Sequence, residues 1–334
     1  MKLSSLGEFG LIESIRKMTS RKSSSVLIGV GDDAAALKFS SSSILLATTD
    51  MLLEGIHFDL TYTDFYSLGW KSAAANLSDI AAMGGIPRFC LTSLGIPSTV
   101  SVEHIKDFYR GFNAVLKAHA TVLVGGDTCS SREGFVVNVV VLGGSEKTRI
   151  VTRSGAKPGD RVFVTGTLGD AAAGLELLRT RAGIRKQRPW EKILTQKHLR
   201  PRPRVEWGIL IARSRCVHAM IDISDGLSSD LSHICEKSGV GAKIFSKNIP
   251  CSRSLHAAED ELSKTPVQYA LSGGEDYELL FTASPRSANK LKKLGMPLTE
   301  IGEITRTRKL VLVDEQGITN PLVPTGYDHF ARST

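Results

Sequence analysis

The 334-residue chain has no uninterrupted apolar run near the roughly 20 residues that a helical membrane span requires. Its best candidate, Val205 to Ile223, is broken by Glu206, Arg213, Arg215 and His218. Glu8 and Glu13 likewise break the start of the chain, which argues against a cleaved signal, and Phe9, Ile12, Ile15 and Met18 fall on one stripe of an amphipathic helix. Cysteine is sparse and odd in number: Cys90, Cys129, Cys216, Cys235 and Cys251 stand alone, none at metal-binding spacing. That pattern argues against a disulfide framework and a zinc site, and fits a reducing, cytoplasmic setting. There is no Gly-x-x-x-x-Gly-Lys-Ser/Thr loop, no protein-kinase loop set and no Gly-x-Ser-x-Gly elbow. Gly29-Val30-Gly31 half-resembles a dinucleotide loop, but Asp32-Asp33 occupies the place where a pyrophosphate would rest.

What is present is an ordinary globular composition, 42% hydrophobic and 23% charged, in a chain long enough for two domains. The formal charge of +8 is concentrated between Arg179 and Arg204, with Arg181, Arg185, Lys186, Arg188, Lys192, Lys197, Arg200 and Arg202. Only Trp190 offers a stacking ring there, and Pro189, Pro201 and Pro203 punctuate the run. A solvated connector between helices is favoured over a nucleic-acid surface.

Strand-like and helix-like pieces alternate in both halves. In the first, the spacing predicts strands at Ser43–Thr49, Phe89–Ile96, Thr121–Val124 and Val136–Leu142, and helices at Tyr66–Met83 and Val102–Ala118. In the second, it predicts strands at Arg161–Thr165, Met220–Ile223, Glu278–Thr282, Thr299–Ile304 and Lys309–Val313, with helices at Leu227–Ser238 and Pro285–Leu294. A turn-rich break, Ser154 to Asp160, sets the expected boundary near Ile150, giving domains 1–150 and 151–334 of a mixed α/β (α+β) protein.

Six acidic motifs recur where apolar segments end: Gly31-Asp32-Asp33-Ala34, Thr48-Thr49-Asp50, Asn76-Leu77-Ser78-Asp79, Gly125-Gly126-Asp127-Thr128, Asp222-Ile223-Ser224-Asp225-Gly226 and Gly273-Gly274-Glu275-Asp276. One such motif is turn chemistry; six point to a ligand site. Bare carboxylates repel a polyphosphate, so divalent cations must lie between the two, and Mg²⁺ with its preference for hard oxygen ligands suits that place. The neighbours Asp32 and Asp33, and likewise Glu275 and Asp276, are alternatives for one role each.

These motifs, together with Thr152-Arg153-Ser154-Gly155-Ala156-Lys157-Pro158-Gly159-Asp160, Lys197-His198-Leu199-Arg200-Pro201 and Gly326-Tyr327-Asp328-His329-Phe330, resemble the thiamine-monophosphate kinase family in order along nearly the whole chain. The resemblance implies the aminoimidazole-ribonucleotide-synthetase-like fold, with an ATP and metal cleft between the domains. It also implies ATP-dependent phosphorylation of thiamine monophosphate to thiamine diphosphate, several Mg²⁺ ions, and a homodimer formed through the N-terminal domains. Carried over by position, Asp33, Thr48, Thr49, Asp50, Asp79, Asp127, Asp222 and Asp225 would hold metal; Gly126, Asp127, Arg153 and Ser224 would contact ATP; His57 and Glu275 would contact the substrate. The chain departs from the family at Pro324, where an aromatic residue is usual. The rival readings are a sister synthetase of the same superfamily, a non-catalytic Mg–nucleotide-binding regulator, and a basic nucleic-acid-binding module. A selenophosphate synthetase needs a reactive thiol near the N-terminus, and no cysteine precedes Cys90.

Overall fold

The computed structural model describes residues 10–13, 23–146, 149–180, 187–327 and 329–330. Of the N-terminal stripe, Ile12 is helical, and Phe9, Ile15 and Met18 lie outside the described residues, as do Arg181, Arg185 and Lys186 of the basic segment.

Two sheets organise the chain. The first is built from β1 (Val26–Ile28), β2 (Ala35–Lys38), β3 (Ser43–Leu53), β4 (Ile86–Pro97), β5 (Val122–Ser131) and β6 (Val136–Glu146), in the order β1-β2-β3-β6-β4-β5. All neighbours are antiparallel except β4 and β5, which run parallel. One face is covered by α1 (Phe65–Ala82) and α2 (Val102–Ala118). Asp64 caps α1 by accepting a hydrogen bond from the Ser67 N–H at 2.8 Å, and Ser101 caps α2 by accepting one from the His104 N–H. The two helices touch through backbone. A Cβ on Gly69 would sit 2.0 Å from the Phe108 carbonyl oxygen, and one on Gly111 would sit 1.8 Å from that of Tyr66, so only glycine permits this approach.

The second sheet is assembled from β7 (Arg161–Thr165), β8 (Val217–Asp222), β9 (Gly241–Phe245), β10 (Leu279–Ala283), β11 (Leu298–Thr305), β12 (Leu310–Val313) and β13 (Thr319–Pro321), ordered β13-β12-β9-β11-β7-β10-β8. Its central strands are buried on both faces, and their period-two alternation divides their side chains between two cores. Phe163, Met220, Leu279 and Phe281 join α1 and the first sheet in one continuous core. Val162, Val164, Ala219, Ile221 and Leu280 pack in a second, with Leu227, Leu231 and Ile234 of α6. The remaining helices are α3 (Asp170–Thr180), α4 (Pro189–Leu199), α5 (Val205–Ser214), α6 (Leu227–Ser238), and the short α7 (Arg253–Ala257), α8 (Pro266–Ser272) and α9 (Ala288–Lys292).

The mixed α/β class is the one expected, and the differences are local. Part of the basic connector is helical: Pro189 opens α4, the Glu191 carboxylate accepts from the Arg188 N–H at 2.7 Å, and Leu194 and His198 are buried. Strands β3 and β5 run through Asp50 and through Gly125-Gly126-Asp127 instead of ending there, because each is paired along its length. Of the six acidic motifs only Asp222 closes a strand, and Asp79 lies in the last turn of α1.

Candidate functional site

Helix α1 is the hub of the site. Its last turns carry Asn76, Ser78 and Asp79 toward the edge where β3, the loop after β1 and the end of β8 meet. There, Asp33, Asp79 and Asp222 each offer a carboxylate oxygen, and these oxygens lie within 4.8 Å of one another. Thr48 Oγ1 donates to Asp79 Oδ2 at 2.6 Å, and Ser78 Oγ donates to Asp222 Oδ2 at 2.6 Å. The Asp50 N–H donates to Asn76 Oδ1 at 3.1 Å. Arg153 enters from the interdomain segment, with Nη2 donating to Asp33 Oδ1 at 2.7 Å and its backbone N–H to Asp32 Oδ1 at 3.2 Å. Both domains therefore contribute to one carboxylate cluster.

The carboxylates at this site crowd one another electrostatically. Burial first, and Asp33 second, push Asp222 up to about 8. Asp79 is raised well above the ordinary carboxylate range by burial and then by Asp50, Asp222 and Asp33, while burial lifts Asp50 to about 6. One guanidinium cannot neutralise so many carboxylates, and the buried Asp33 Oδ2 has no hydrogen-bond partner. A small hard dication fits this donor set.

The expected residues are not all gathered there. Thr48 and Asp50 face the cluster; Thr49, between them, points to the opposite side of β3, bonded to the Val139 carbonyl and to Asn138. The cause is the two-residue period of a strand. Gly126 and Asp127 line a separate cavity of about 390 Å³ with Thr92, Tyr109, Leu123, Gly125 and Thr128. A Cβ on Gly126 would lie 1.9 Å from the Thr92 carbonyl oxygen, so the position tolerates no side chain. Ser224 and Asp225 sit in the loop between β8 and α6, where Asp230 Oδ2 accepts from the Asp225 and Gly226 N–H groups.

His57 and Glu275 belong to a second cluster. The Glu275 carboxylate accepts from Lys71 Nζ at 2.9 and 2.8 Å, and His198 Nδ1 lies 3.0 Å from Glu275 Oε2. His198 Nε2 is 3.2 Å from Lys71 Nζ. Although burial opposes it, Lys71 and then His198 hold Glu275 well below the usual carboxylate range. His57 receives the Leu53 N–H on Nδ1 at 3.0 Å and faces His329 with Nε2 atoms 3.3 Å apart. Its basicity is lowered by burial and by His329.

Comparison with known proteins places this geometry. The AIR synthase related protein N-terminal domain matches residues 31–144, and the corresponding C-terminal domain matches residues 157–315. Thiamine-monophosphate kinase of Aquifex aeolicus (strain VF5) is 39% identical over 330 residues, covering 99% of this chain and 100% of its own. The Bacillus subtilis (strain 168) enzyme of the same name is 38% identical, covering 97% and 100%. The chain belongs to the thiamine-monophosphate kinase family. Among solved structures, AaThiL complexed with AMPPCP and TMP superposes with a TM-score of 0.87 at 38% identity, covering 98% of this chain and 99% of that one.

With the chain set in the thiamine-monophosphate kinase family, the residues that sequence reading passed over stand out. Lys71 gives no warning in sequence: it lies in a helix whose lysine would ordinarily be solvated, yet it is 1% exposed. Tyr109 reaches the Gly126–Asp127 cavity from α2. Tyr277, like Glu275, is a non-glycine residue with positive φ, at 49° and 67°. The double-glycine run before them was the available signal for an unusual backbone. Asp276, between them, turns away to accept from the Gly169 N–H at 2.7 Å, leaving Glu275 as the member of that pair in the interdomain cluster. In the tail motif, Asp328 lies outside the described residues.

Proposed function

We propose that this chain transfers the γ-phosphoryl group of ATP directly to thiamine monophosphate, forming thiamine diphosphate. The observation that carries the reading is the trio Asp33, Asp79 and Asp222, two buried and Asp79 partly so, drawn from both domains and rich in negative charge. Two things support it: family relatives named thiamine-monophosphate kinase at 39% and 38% identity, and a similar solved structure holding AMPPCP, an ATP analogue, together with TMP.

Asp33, Asp79 and Asp222, with Asp50, would hold Mg²⁺, and Asp127 and Asp225 extend the acidic set toward the nucleotide. The bound ion supplies charge neutralisation for the phosphates. The chain's own groups do the positioning. Thr48 and Ser78 hydroxyls fix the lone pairs of Asp79 and Asp222. Arg153 presents a planar fork to phosphate oxygens, and Gly126, bare of a side chain, lets β5 lie against the Thr92 carbonyl and so shapes the cavity wall that would meet the nucleotide. Ser224, in the loop between β8 and α6, would add a contact to the nucleotide. His57 and Glu275 border the acceptor. A phosphate oxygen of the acceptor is already anionic near neutral pH, so the reaction needs alignment and no general base.

The same reading includes a division near residue 150, a cytoplasmic location and a homodimer. The location is supported by five free cysteines. The dimer is supported by the uncovered face of the first sheet, where Met51, Phe89, Val122 and Val124 are each about half exposed, an apolar patch that calls for a partner. Among the described residues no helix is long and apolar enough to cross a membrane.

The test is transfer from γ-labelled ATP with thiamine monophosphate, free thiamine and an aminoimidazole precursor as acceptors, with and without Mg²⁺. Label in thiamine diphosphate, dependent on Mg²⁺, is expected. Labelling of another acceptor in its place would move the chain to a sister activity.

A further inference from the structure

The Lys71–Glu275–His198 cluster has a feature that a simple interdomain salt bridge does not need. Lys71 and His198 are sealed, with side chains 1% and 2% exposed, while the Glu275 side chain keeps 26% of its surface open. The buried pair cannot touch a ligand; the carboxylate between them can. Lys71 comes from α1, whereas His198 ends α4 and Glu275 lies in the loop before β10, so the carboxylate is gripped from two separate elements. The chain at Glu275 is in the left-handed region, φ 67°, and its N–H is spent on the Ser224 carbonyl at 2.8 Å. A glutamate has many rotamers, and an unheld one would lose conformational entropy on meeting a ligand. Here that freedom is already removed in the free protein.

We propose that Lys71, assisted by His198, is a positioning residue for the acceptor: it holds Glu275 from behind as a fixed carboxylate whose open edge faces the cleft. The Lys71 ammonium donates to both carboxylate oxygens and approaches His198 Nε2, while His198 Nδ1 lies 3.0 Å from Glu275 Oε2 and walls in the carboxylate without completing a hydrogen bond. Because Lys71 already balances the charge, Glu275 recognises its ligand by direction, accepting an N–H donor, more than by net attraction. Ordering the acceptor pocket is thereby tied to the registration of α1 against the C-terminal half.

This inference rests on the kinase reading above, and the experiment separates the two. Steady-state kinetics are measured on the full-length protein and on Lys71→Met, Glu275→Gln and the double variant, varying thiamine monophosphate and ATP independently. The expected result is a rise of at least tenfold in KM for thiamine monophosphate in Lys71→Met, with KM for ATP within twofold of wild type. In the double variant KM should lie within about threefold of that of Glu275→Gln, since the amide oxygen left for Lys71 to hold is a much weaker acceptor than the carboxylate. A residue serving only stability would lower the melting temperature without this split. If Lys71→Met fails to fold, the comparison of Glu275→Gln with the double variant still decides. KM values within about threefold of each other support the inference; a larger rise overturns it, as does a double variant that cannot fold while Glu275→Gln can. Wild-type transfer with an unmoved KM in soluble Lys71→Met overturns this inference alone. A wild type that transfers nothing to thiamine monophosphate removes the kinase reading, and this inference with it.

Discussion

Replacing Asp222 with Asn should make the metal-free protein more stable and the metal-loaded protein less so. Asp222 is 2% exposed and stands at about 8, against 3.8 when unfolded. A raised carboxylate contributes fully below the unfolded value and loses that contribution as pH rises toward the folded one. At pH 8 the unfolded chain is ionised at this position and the native chain half-protonated, a cost of about 5 kcal/mol at 1.36 kcal/mol per unit. Because Asp79 is raised partly by Asp222, the two carboxylates share the cost, and one neutral amide recovers about half of it, about 3 kcal/mol. An amide oxygen still accepts from Ser78. With an unfolding entropy of about 2.1 cal/mol/K per residue, that corresponds to a rise of about 4 °C for a chain of this size. Saturating Mg²⁺ reverses the order: ligand at about a thousand times its Kd adds about 4.1 kcal/mol to the wild type, while the variant gains little of this and loses phosphoryl transfer. Thermal melts at pH 8, in chelator and in Mg²⁺, supply the comparison. A variant that melts below wild type in chelator would show that the trio is not electrostatically strained, and the argument for a cation there would fail.

Gly126→Ala should raise KM for ATP at least tenfold and leave KM for thiamine monophosphate nearly unchanged, because its methyl would meet the Thr92 carbonyl at 1.9 Å and push β5 off β4 beside the Gly126–Asp127 cavity; unchanged ATP kinetics would remove that cavity from the nucleotide site. His233, in α6, is held down to about 4 by burial and then by Arg153 and Lys237. A depressed histidine contributes above pH 6.5 and loses its contribution as pH falls toward 4, at most about 3 kcal/mol. Since Asp222 shifts stability in the opposite sense, the measurement is a difference: the melting temperature of wild type minus that of His233→Gln should fall between pH 7 and 4.5, and a constant difference would refute the assignment.

How far the sequence carried depended on how local each cause is. Val102–Ala118, Leu227–Ser238 and Arg161–Thr165 were legible to the residue, because Ser101, Gly239 and the break before Asp160 mark their ends chemically. Asp33, Asp79 and Asp222 were each legible as ligand candidates because each sits in a conspicuous small-residue motif, but their grouping as a trio, and the choice of Asp33 over Asp32, was not. Thr49 could not be separated from Thr48 without knowing which face of β3 meets α1. The strand was expected to stop at Val124 because Gly125-Gly126 suggests a turn before Asp127; pairing with β4 overrides that preference. Lys71 was invisible for a different reason: its partner is 204 positions away, and nothing within its own helix predicts a buried cation.

Helix α1 has a consequence for how such chains can be recombined. By sequence it lies in the first half, yet Lys71 grips Glu275, Ser78 bonds Asp222, and the Trp70 indole N–H donates to the Pro201 carbonyl at 2.7 Å, all in the second. A chimera joined near residue 150 would inherit its helix from one parent and that helix's three partners from the other. Exchange between relatives therefore succeeds at the level of α1 plus the loops it serves, and the heritable module is this interlocked set of contacts, cut across by the visible seam between domains.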